Sequence, residues 1–225
     1  MKGIEDSPMG YSPRSNQYCY ITWLSPYLSG ERHCLMYLHQ KVNSQTPKST
    51  VDFSGWVEEH ARLVNEAASQ WKGSGGSVTV EDENYFKINS KSGVSLNGKC
   101  DLVVGEDRPG SDTGLVIDVK TGQKKAKDRT QVLLYMSLLP SIPDIPHISK
   151  TPKGVVQYKD GSTLKISPEE VTPEFKSQVR SLLELASGTI PEATSTFQEC
   201  RFCDLKNDCP FAKKVEPSNH EVDWL

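Results

Sequence analysis

The chain of 225 residues contains no long hydrophobic run. Spanning a bilayer takes roughly 20 consecutive apolar residues, and no stretch of the sequence approaches that length. The opening stretch, MKGIEDSPMG, also lacks the apolar core of a signal peptide. We therefore expect a cytoplasmic protein that has no membrane partner.

Positive charge is not in excess either. The sequence has 26 lysine and arginine residues against 29 aspartate and glutamate residues, which gives a formal net charge of −3 at pH 7. The molecule as a whole therefore does not attract nucleic acid electrostatically, and any such contact has to use a local basic groove. With 36% hydrophobic and 24% charged residues, the composition is that of a folded globular protein rather than a disordered one.

The cysteines lack the arrangement of a zinc site built from two close pairs. Cys200, Cys203 and Cys209 follow the pattern C-x2-C-x5-C, which in a reducing compartment indicates a metal site rather than disulfides. No second C-x-x-C or H-x-x-x-H lies nearby, although structural zinc sites usually combine two such pairs. An iron–sulfur cluster accepts a distant fourth thiolate, and Cys34 is the best candidate for it. Zinc stays an alternative.

The sequence predicts two helices in the N-terminal part of the chain. Residues 1–17 are polar and are expected to form a loose arm. Ser25 and Pro26 suit the N-cap and the first position of a helix that continues past Cys34. A second helix is predicted over residues 54–71. Its apolar stripe contains Trp56, Val57, Leu63, Val64, Ala67, Ala68 and Trp71.

Strands dominate the middle of the chain. The segments VTVEDENYFKI and VSLNGKCDLVV read as a hairpin joined through residues 89–93. A strand, GLVIDVKTG, follows at residues 114–122, and then a helix over residues 123–139 that is basic at its start. Two further strands flank a turn at Asp160, and a last helix starts near Pro173.

Asp118 and Lys120 are the chemically informative pair in the strand at residues 114–122. Alternate residues of a strand share a face, so the two side chains lie about 6–7 Å apart along it. If the strand with Asp101 pairs with this one, two carboxylates converge, and oxygen ligands of this kind suit Mg²⁺ or Mn²⁺. Lys120 could then orient or deprotonate a metal-activated water. The alternative is that these are ordinary residues at the end of a solvated strand.

Three neighbouring features extend this candidate site. Gln131 and Tyr135 share one face of the following helix, where Gln131 could bond the lysine and Tyr135 could stack on a base, unless it is a core aromatic. His60 is either a buried core residue or a Mn²⁺ ligand. A basic run could bind a phosphate backbone, or it could be a solvated face. Its members are Lys124, Lys125, Lys127 and Arg129.

Taken together, these motifs resemble the RecB-like iron–sulfur nucleases, and they are most similar to the CRISPR-associated exonuclease family called Cas-four. The likeness covers about residues 18–210. It rests on His60, GKCDLVV with Asp101, DVKTG with Asp118 and Lys120, Gln131-x-x-x-Tyr135, and the cysteines at positions 34, 200, 203 and 209.

The resemblance implies an α/β (α+β) fold. It would have a PD-(D/E)XK, restriction-endonuclease-like core over residues 51–167, with a central mixed sheet flanked by helices. A helical lobe, from residues 20–50 and 168–212, would hold a [4Fe-4S] cluster, and residues 213–225 would form a tail. The metal ligands it implies are His60, Asp101, Asp118 and the carbonyl of Val119, with Lys120 catalytic and Gln131 and Tyr135 accompanying it.

The activity implied is Mg²⁺- or Mn²⁺-dependent cleavage of DNA, exonucleolytic on single strands and extending to duplex ends, with spacer trimming alongside CRISPR integrase proteins in some members. One alternative is a DNA-binding adaptor of a spacer-acquisition complex with little activity alone. Another is a restriction-type endonuclease. The acidic net charge departs from the expectation of strong unassisted DNA binding, and the oligomeric state stays open.

Overall fold

The computed structural model describes residues 7–47, 52–107, 113–143, 145, 148 and 150–214. The strands in these residues are β1 (Tyr18–Tyr20), β2 (Val78–Val80), β3 (Tyr85–Asn89), β4 (Ser95–Lys99), β5 (Leu102–Val104), β6 (Leu115–Lys120), β7 (Lys153–Tyr158) and β8 (Thr163–Ile166). The α-helices are α1 (Ile21–Leu28), α2 (Leu35–Asn43), α3 (Ser54–Lys72), α4 (Ala126–Leu138), α5 (Pro173–Ser187) and α6 (Phe197–Arg201). None of the helices in these ranges is long and apolar enough to cross a membrane.

The larger sheet carries the strands that hold the predicted acidic residues. Its order is β2-β5-β6-β7-β8, with β6 and β7 parallel and the other neighbours antiparallel. Strand β6 is buried over almost its whole length, as expected for an apolar strand in a sheet with helices on both faces. The predicted mixed sheet with flanking helices is thereby confirmed.

A smaller sheet has the order β1-β4-β3. The hairpin predicted around residues 89–93 is present as the antiparallel pair β3 and β4. The first predicted strand of this hairpin, VTVEDENYFKI, is not continuous. A 3-10 turn at Glu81–Asn84 divides it into β2 and β3, and β2 pairs with β5 in the larger sheet. The side-chain amide of Asn84 stabilises this turn by donating hydrogen bonds to the carbonyl oxygens of Thr79 at 3.0 Å and Cys100 at 3.2 Å.

The N-terminal helical region differs from the prediction. Helix α1 begins at Ile21 rather than at Ser25, and Pro26 lies inside it. Burial accounts for the earlier start, because Ile21 and Leu24 are part of the core. The chain then turns at Gly30 with φ of +76°, a conformation that glycine adopts readily. A separate helix, α2, follows instead of one continuous helix.

Helix α3 matches its predicted range and covers one face of the larger sheet. Its second half supplies Val64 and Ala67, which pack with Leu102 of β5 and other sheet residues. Trp56 and Val57 belong to the same apolar stripe but are 54% and 53% exposed. These two residues belong to the first half of the helix.

Helix α4 packs on the opposite face of the sheet and starts at Ala126, later than predicted. Gly154 of β7 permits its close approach, because a Cβ at this position would lie 2.5 Å from Met136 Sδ and 2.6 Å from Val132 Cγ1. Helix α1 also packs against α4. Most faces of α4 are therefore buried, and the part of the sheet that it covers includes the strand with Asp118.

The described part of the N-terminal arm contacts the rest of the chain. Ser7 Oγ donates to Gln40 Oε1 at 2.6 Å, and Tyr11 Oη donates to Asp208 Oδ2 at 2.6 Å. The arm thus bridges α2 and the C-terminal cysteine segment. Residues 1–6 of the predicted arm and residues 215–225 of the predicted tail lie outside the described residues.

Candidate active site

Asp101 lies where β5 begins, directly beside β6. Its Oδ2 accepts a hydrogen bond from the N–H of Val119 at 2.6 Å, and its Oδ1 lies 3.3 Å from His60 Nε2 on α3. The register of β5 and β6, with Leu102 opposite Ile117, produces this approach. The pairing of these two strands, which was the condition for bringing Asp101 towards Asp118, is therefore present.

Asp118, Lys120 and Gln131 form a closed triangle of contacts. Lys120 Nζ lies 2.7 Å from Asp118 Oδ2 and donates to Gln131 Oε1 at 3.1 Å. Gln131 Nε2 donates to Asp118 Oδ1 at 2.8 Å. The strand β6 supplies the first two residues, and α4 supplies the third from the face above them. The glutamine thereby contacts both members of the ion pair.

Burial and charge perturb these groups strongly. Burial raises the pKa of Asp118 above its ordinary value, although the neighbouring Lys120 opposes this shift. Burial disfavours the charge on Lys120, but the attraction of Asp118 outweighs it and raises the pKa of the ammonium group. The hydrogen bond with Asp101 raises the pKa of His60 despite partial burial. Strongly perturbed groups gathered at one point are typical of a functional site.

Glu81 is an acidic residue of the site that the sequence did not predict. It follows β2 with φ of +42°, which is unusual for a residue other than glycine. Its N–H donates to the carbonyl oxygen of Asp101 at 2.9 Å. Ligand atoms of His60, Glu81 and Asp101 all lie within 4.8 Å of one another. One imidazole and two carboxylates at this spacing suit a cation such as Mn²⁺.

Tyr135 does not lie where a DNA contact requires it. The side chain is buried, with 1% exposure, and its hydroxyl donates to the carbonyl oxygen of Lys99 at 2.8 Å. The ring packs edge-to-face with Phe86 at a centroid distance of 6.2 Å. The alternative of a core aromatic therefore describes Tyr135, and the prediction that it stacks on a base is corrected.

The predicted basic run leads from β6 into α4. Its members are Lys124, Lys125, Lys127 and Arg129. Lys124 Nζ lies 3.3 Å from Asp160 Oδ2, and Arg129 forms an ion pair with Glu170. Acidic neighbours thus offset part of this positive charge, and DNA binding by the run stays a prediction.

The four cysteines named from the sequence line one cavity, although Cys34 comes from a distant part of the chain. Glu199 holds the two parts together, since its Oε1 accepts from the backbone N–H of His33 at 2.7 Å and of Cys34 at 3.3 Å. Among the described residues, no three cysteine sulfurs lie within 4.8 Å of one another. Tetrahedral zinc requires sulfurs about 3.8 Å apart, from a Zn–S bond of about 2.3 Å.

The arrangement around Asp101 and Asp118 defines a class of site. The site contains two buried carboxylates, a histidine and a lysine on a mixed sheet. This set of side chains is typical of a phosphodiesterase that depends on a divalent cation. Residues 28–210 match the PD-(D/E)XK nuclease superfamily. The chain belongs to this superfamily, whose members are nucleases that use divalent metal ions and act on DNA.

Solved structures share the fold of this chain. Sixteen chains of solved structures match this one. The crystal structure of SSO0001 has a TM-score of 0.52 and 16% sequence identity, and the match covers 89% of each chain. At this identity the likeness concerns the fold alone. No curated protein sequence matches the chain.

Proposed function

We propose that this chain is a Mg²⁺- or Mn²⁺-dependent DNA exonuclease that prefers single strands. The observation that carries the proposal is that Asp101, which contacts His60, also accepts a hydrogen bond from the N–H of Val119, the residue between Asp118 and Lys120 of the Asp118–Lys120–Gln131 triangle. Membership of the nuclease superfamily supports hydrolysis of the phosphodiester bond. The preference for single strands and for ends is an expectation from the resemblance to the Cas-four exonucleases.

The donor set fits a hard divalent cation. His60, Asp101, Asp118 and the carbonyl of Val119 would hold it, as the resemblance implies. Glu81 lies close enough to His60 and Asp101 to join these two, whereas Asp118 is not part of the group whose ligand atoms lie within 4.8 Å of one another. Asp118 is 1% exposed, and the ion pair with Lys120 at 2.7 Å compensates the burial of its charge. When bound, such a cation supplies Lewis-acid activation of water and neutralises charge on the phosphate.

Lys120 acts as a positively charged positioning and stabilising group. Its ammonium group stays protonated beside Asp118, so it is suited to donating a hydrogen bond to the attacking water or to a phosphate oxygen. Asp118 and Gln131 take two of its three N–H bonds, which fixes the direction of the ammonium group and leaves one N–H bond for substrate. The side chain is 23% exposed, so substrate can reach it.

A [4Fe-4S] cluster on Cys34, Cys200, Cys203 and Cys209 belongs to the same proposal. It rests on the resemblance to the iron–sulfur nucleases and on the one cavity that all four side chains line. A cluster there supplies a covalent cross-link between the N-terminal and C-terminal parts of the lobe. Such ligation requires cysteines that stay reduced, and a reducing compartment such as the expected cytoplasm keeps them so.

The cluster is tested by the metal content of anaerobically purified protein. We expect brown protein with iron and sulfide in equal amounts, and loss of both in Cys34→Ser. The variant Cys19→Ser serves as a control, because Cys19 is a buried core residue outside the cavity. Colourless protein that carries zinc would overturn this part of the proposal.

A DNA-binding adaptor that works with CRISPR integrase proteins is a second candidate. The pairing of Lys124 with Asp160 and of Arg129 with Glu170 weakens the attraction of the isolated chain for DNA, so such an adaptor would bind DNA weakly alone and rely on its partners for tight binding. Assays of the isolated protein on single-stranded and duplex DNA separate the two candidates. Progressive digestion favours the exonuclease, and binding without digestion favours the adaptor. Discrete fragments of plasmid DNA would indicate a restriction-type endonuclease instead.

The decisive test of the proposed chemistry is Lys120→Ala. We expect it to lower Mn²⁺-dependent degradation of a labelled single strand by at least about a hundredfold, the usual effect of removing one stabilising donor. Lys176→Ala, which removes an exposed lysine from α5, is the matched control. If Lys120→Ala degrades DNA at the rate of this control, the catalytic assignment is wrong.

A further inference from the structure

An exposed apolar patch lies at the N-terminal end of α3. It consists of Phe53, Trp56 and Val57, which are 52%, 54% and 53% exposed. The second half of the same helix buries its apolar residues against the sheet. Large apolar side chains left in solvent at one point are a common mark of a binding surface.

The patch is continuous with the candidate metal site. The indole ring of Trp56 stacks on the imidazole of His60, with a centroid distance of 5.2 Å and an interplanar angle of 8°. The two residues are one helical turn apart, which places them on the same face. The Nε2 atom of His60 in turn lies 3.3 Å from Asp101 Oδ1. One short series of contacts therefore leads from the exposed indole to the acidic centre.

The chemistry of the patch suits a nucleobase. An indole offers a large flat π-face, and aromatic side chains bind single-stranded DNA by stacking, which tolerates any base sequence. In a duplex the bases already stack on each other and are not free to do so. Lys159, a cation next to this part of the helix, is already paired with Glu59. The flat face of Trp56 therefore suits a base better than this neighbourhood suits a phosphate.

We propose that Trp56 is a stacking platform for a nucleobase of the substrate strand beside the phosphate to be cut. This inference rests on the proposed nuclease function and deepens it, since it assigns the preference for single strands to a particular side chain. His60 then has two roles: its ring nitrogen faces Asp101, and its ring face holds the indole. Trp56 is a positioning residue for substrate rather than a catalytic one.

The test compares two labelled strands of equal length and charge, one normal and one uniformly abasic, in EDTA so that cleavage does not occur. We expect the wild-type protein to bind the normal strand more tightly. Trp56→Ala should weaken binding of the normal strand by about tenfold, within the range for one stacked base, and change binding of the abasic strand by less than about twofold. Fluorescence anisotropy measures both affinities.

Two further variants make the result specific. Trp56→Tyr keeps an aromatic face and should restore most of the affinity for the normal strand, whereas Leu185→Ala, a 51% exposed apolar residue on α5, should leave both affinities unchanged. The proposal is overturned if Trp56→Ala binds the normal strand as wild type does, or if it weakens both strands equally. Digestion by the wild-type protein in Mn²⁺ is scored separately, so loss of the stacking preference and loss of the nuclease function are distinguishable.

Discussion

Replacing Gln131 by leucine removes both hydrogen bonds of the glutamine amide while keeping a similar side-chain volume. Gln131 donates to Asp118 at 2.8 Å and accepts from Lys120 at 3.1 Å, and it is 7% exposed. A hydrogen bond to a charged group contributes about 1.5–3 kcal/mol. Water can replace part of the bond to Lys120, whose side chain is 23% exposed. We therefore expect the free energy of unfolding to fall by about 2–4 kcal/mol.

For a chain of 225 residues this loss lowers the melting temperature by about 5–15 °C. Thermal unfolding followed by circular dichroism measures it, with Gln178→Leu on the exposed face of α5 as the matched control. The rate of Mn²⁺-dependent digestion at saturating DNA should fall as well, because Lys120 loses one of its two partners. A melting temperature and a rate equal to those of the control would refute the role given to Gln131.

Two other substitutions test neighbouring parts of the site. Glu81→Gln removes a charge from the set of possible ligands and should weaken Mn²⁺ binding, measured by calorimetry, about tenfold. Asp82→Asn, the control, changes a side chain that is 95% exposed and should leave the affinity for Mn²⁺ unchanged. Equal affinity in both variants would exclude Glu81 as a ligand. Tyr135→Phe removes the 2.8 Å hydrogen bond to Lys99 and should cost about 1 kcal/mol of stability. Its affinity for single-stranded DNA should be unchanged, and a large loss of affinity would contradict the buried position of the ring.

The contacts that sequence reasoning predicted are those fixed by short-range geometry. Asp118 and Lys120 share a face because side chains alternate along a strand. Asp101 lies beside them, bonded to the N–H of Val119, because the strand β5 precedes β6 and pairs with it in antiparallel register. Gln131 meets the ion pair because α4 follows β6 directly and crosses its face. Each of these relations depends on neighbouring elements only.

The features that were not predicted depend on longer-range packing. Glu81 reaches the site only because the chain breaks between β2 and β3, and its one sequence signal is its place directly after a strand. The sequence left Tyr135 open between a base contact and a core aromatic, and the packing of α1 and the sheet around α4, which helical periodicity does not reveal, decides for the core. Trp56 continues an apolar stripe in sequence, yet the sheet covers only the later turns of its helix.

The central claim is that the acidic centre at the end of the larger sheet hydrolyses DNA with a divalent cation. Its most direct test is incubation of the wild-type protein with an end-labelled single strand, first in EDTA and then after addition of Mn²⁺. The account predicts an intact strand in EDTA and progressive shortening from one end once Mn²⁺ is added. A strand that stays intact in both Mn²⁺ and Mg²⁺, with protein whose fold is verified by circular dichroism, would contradict it.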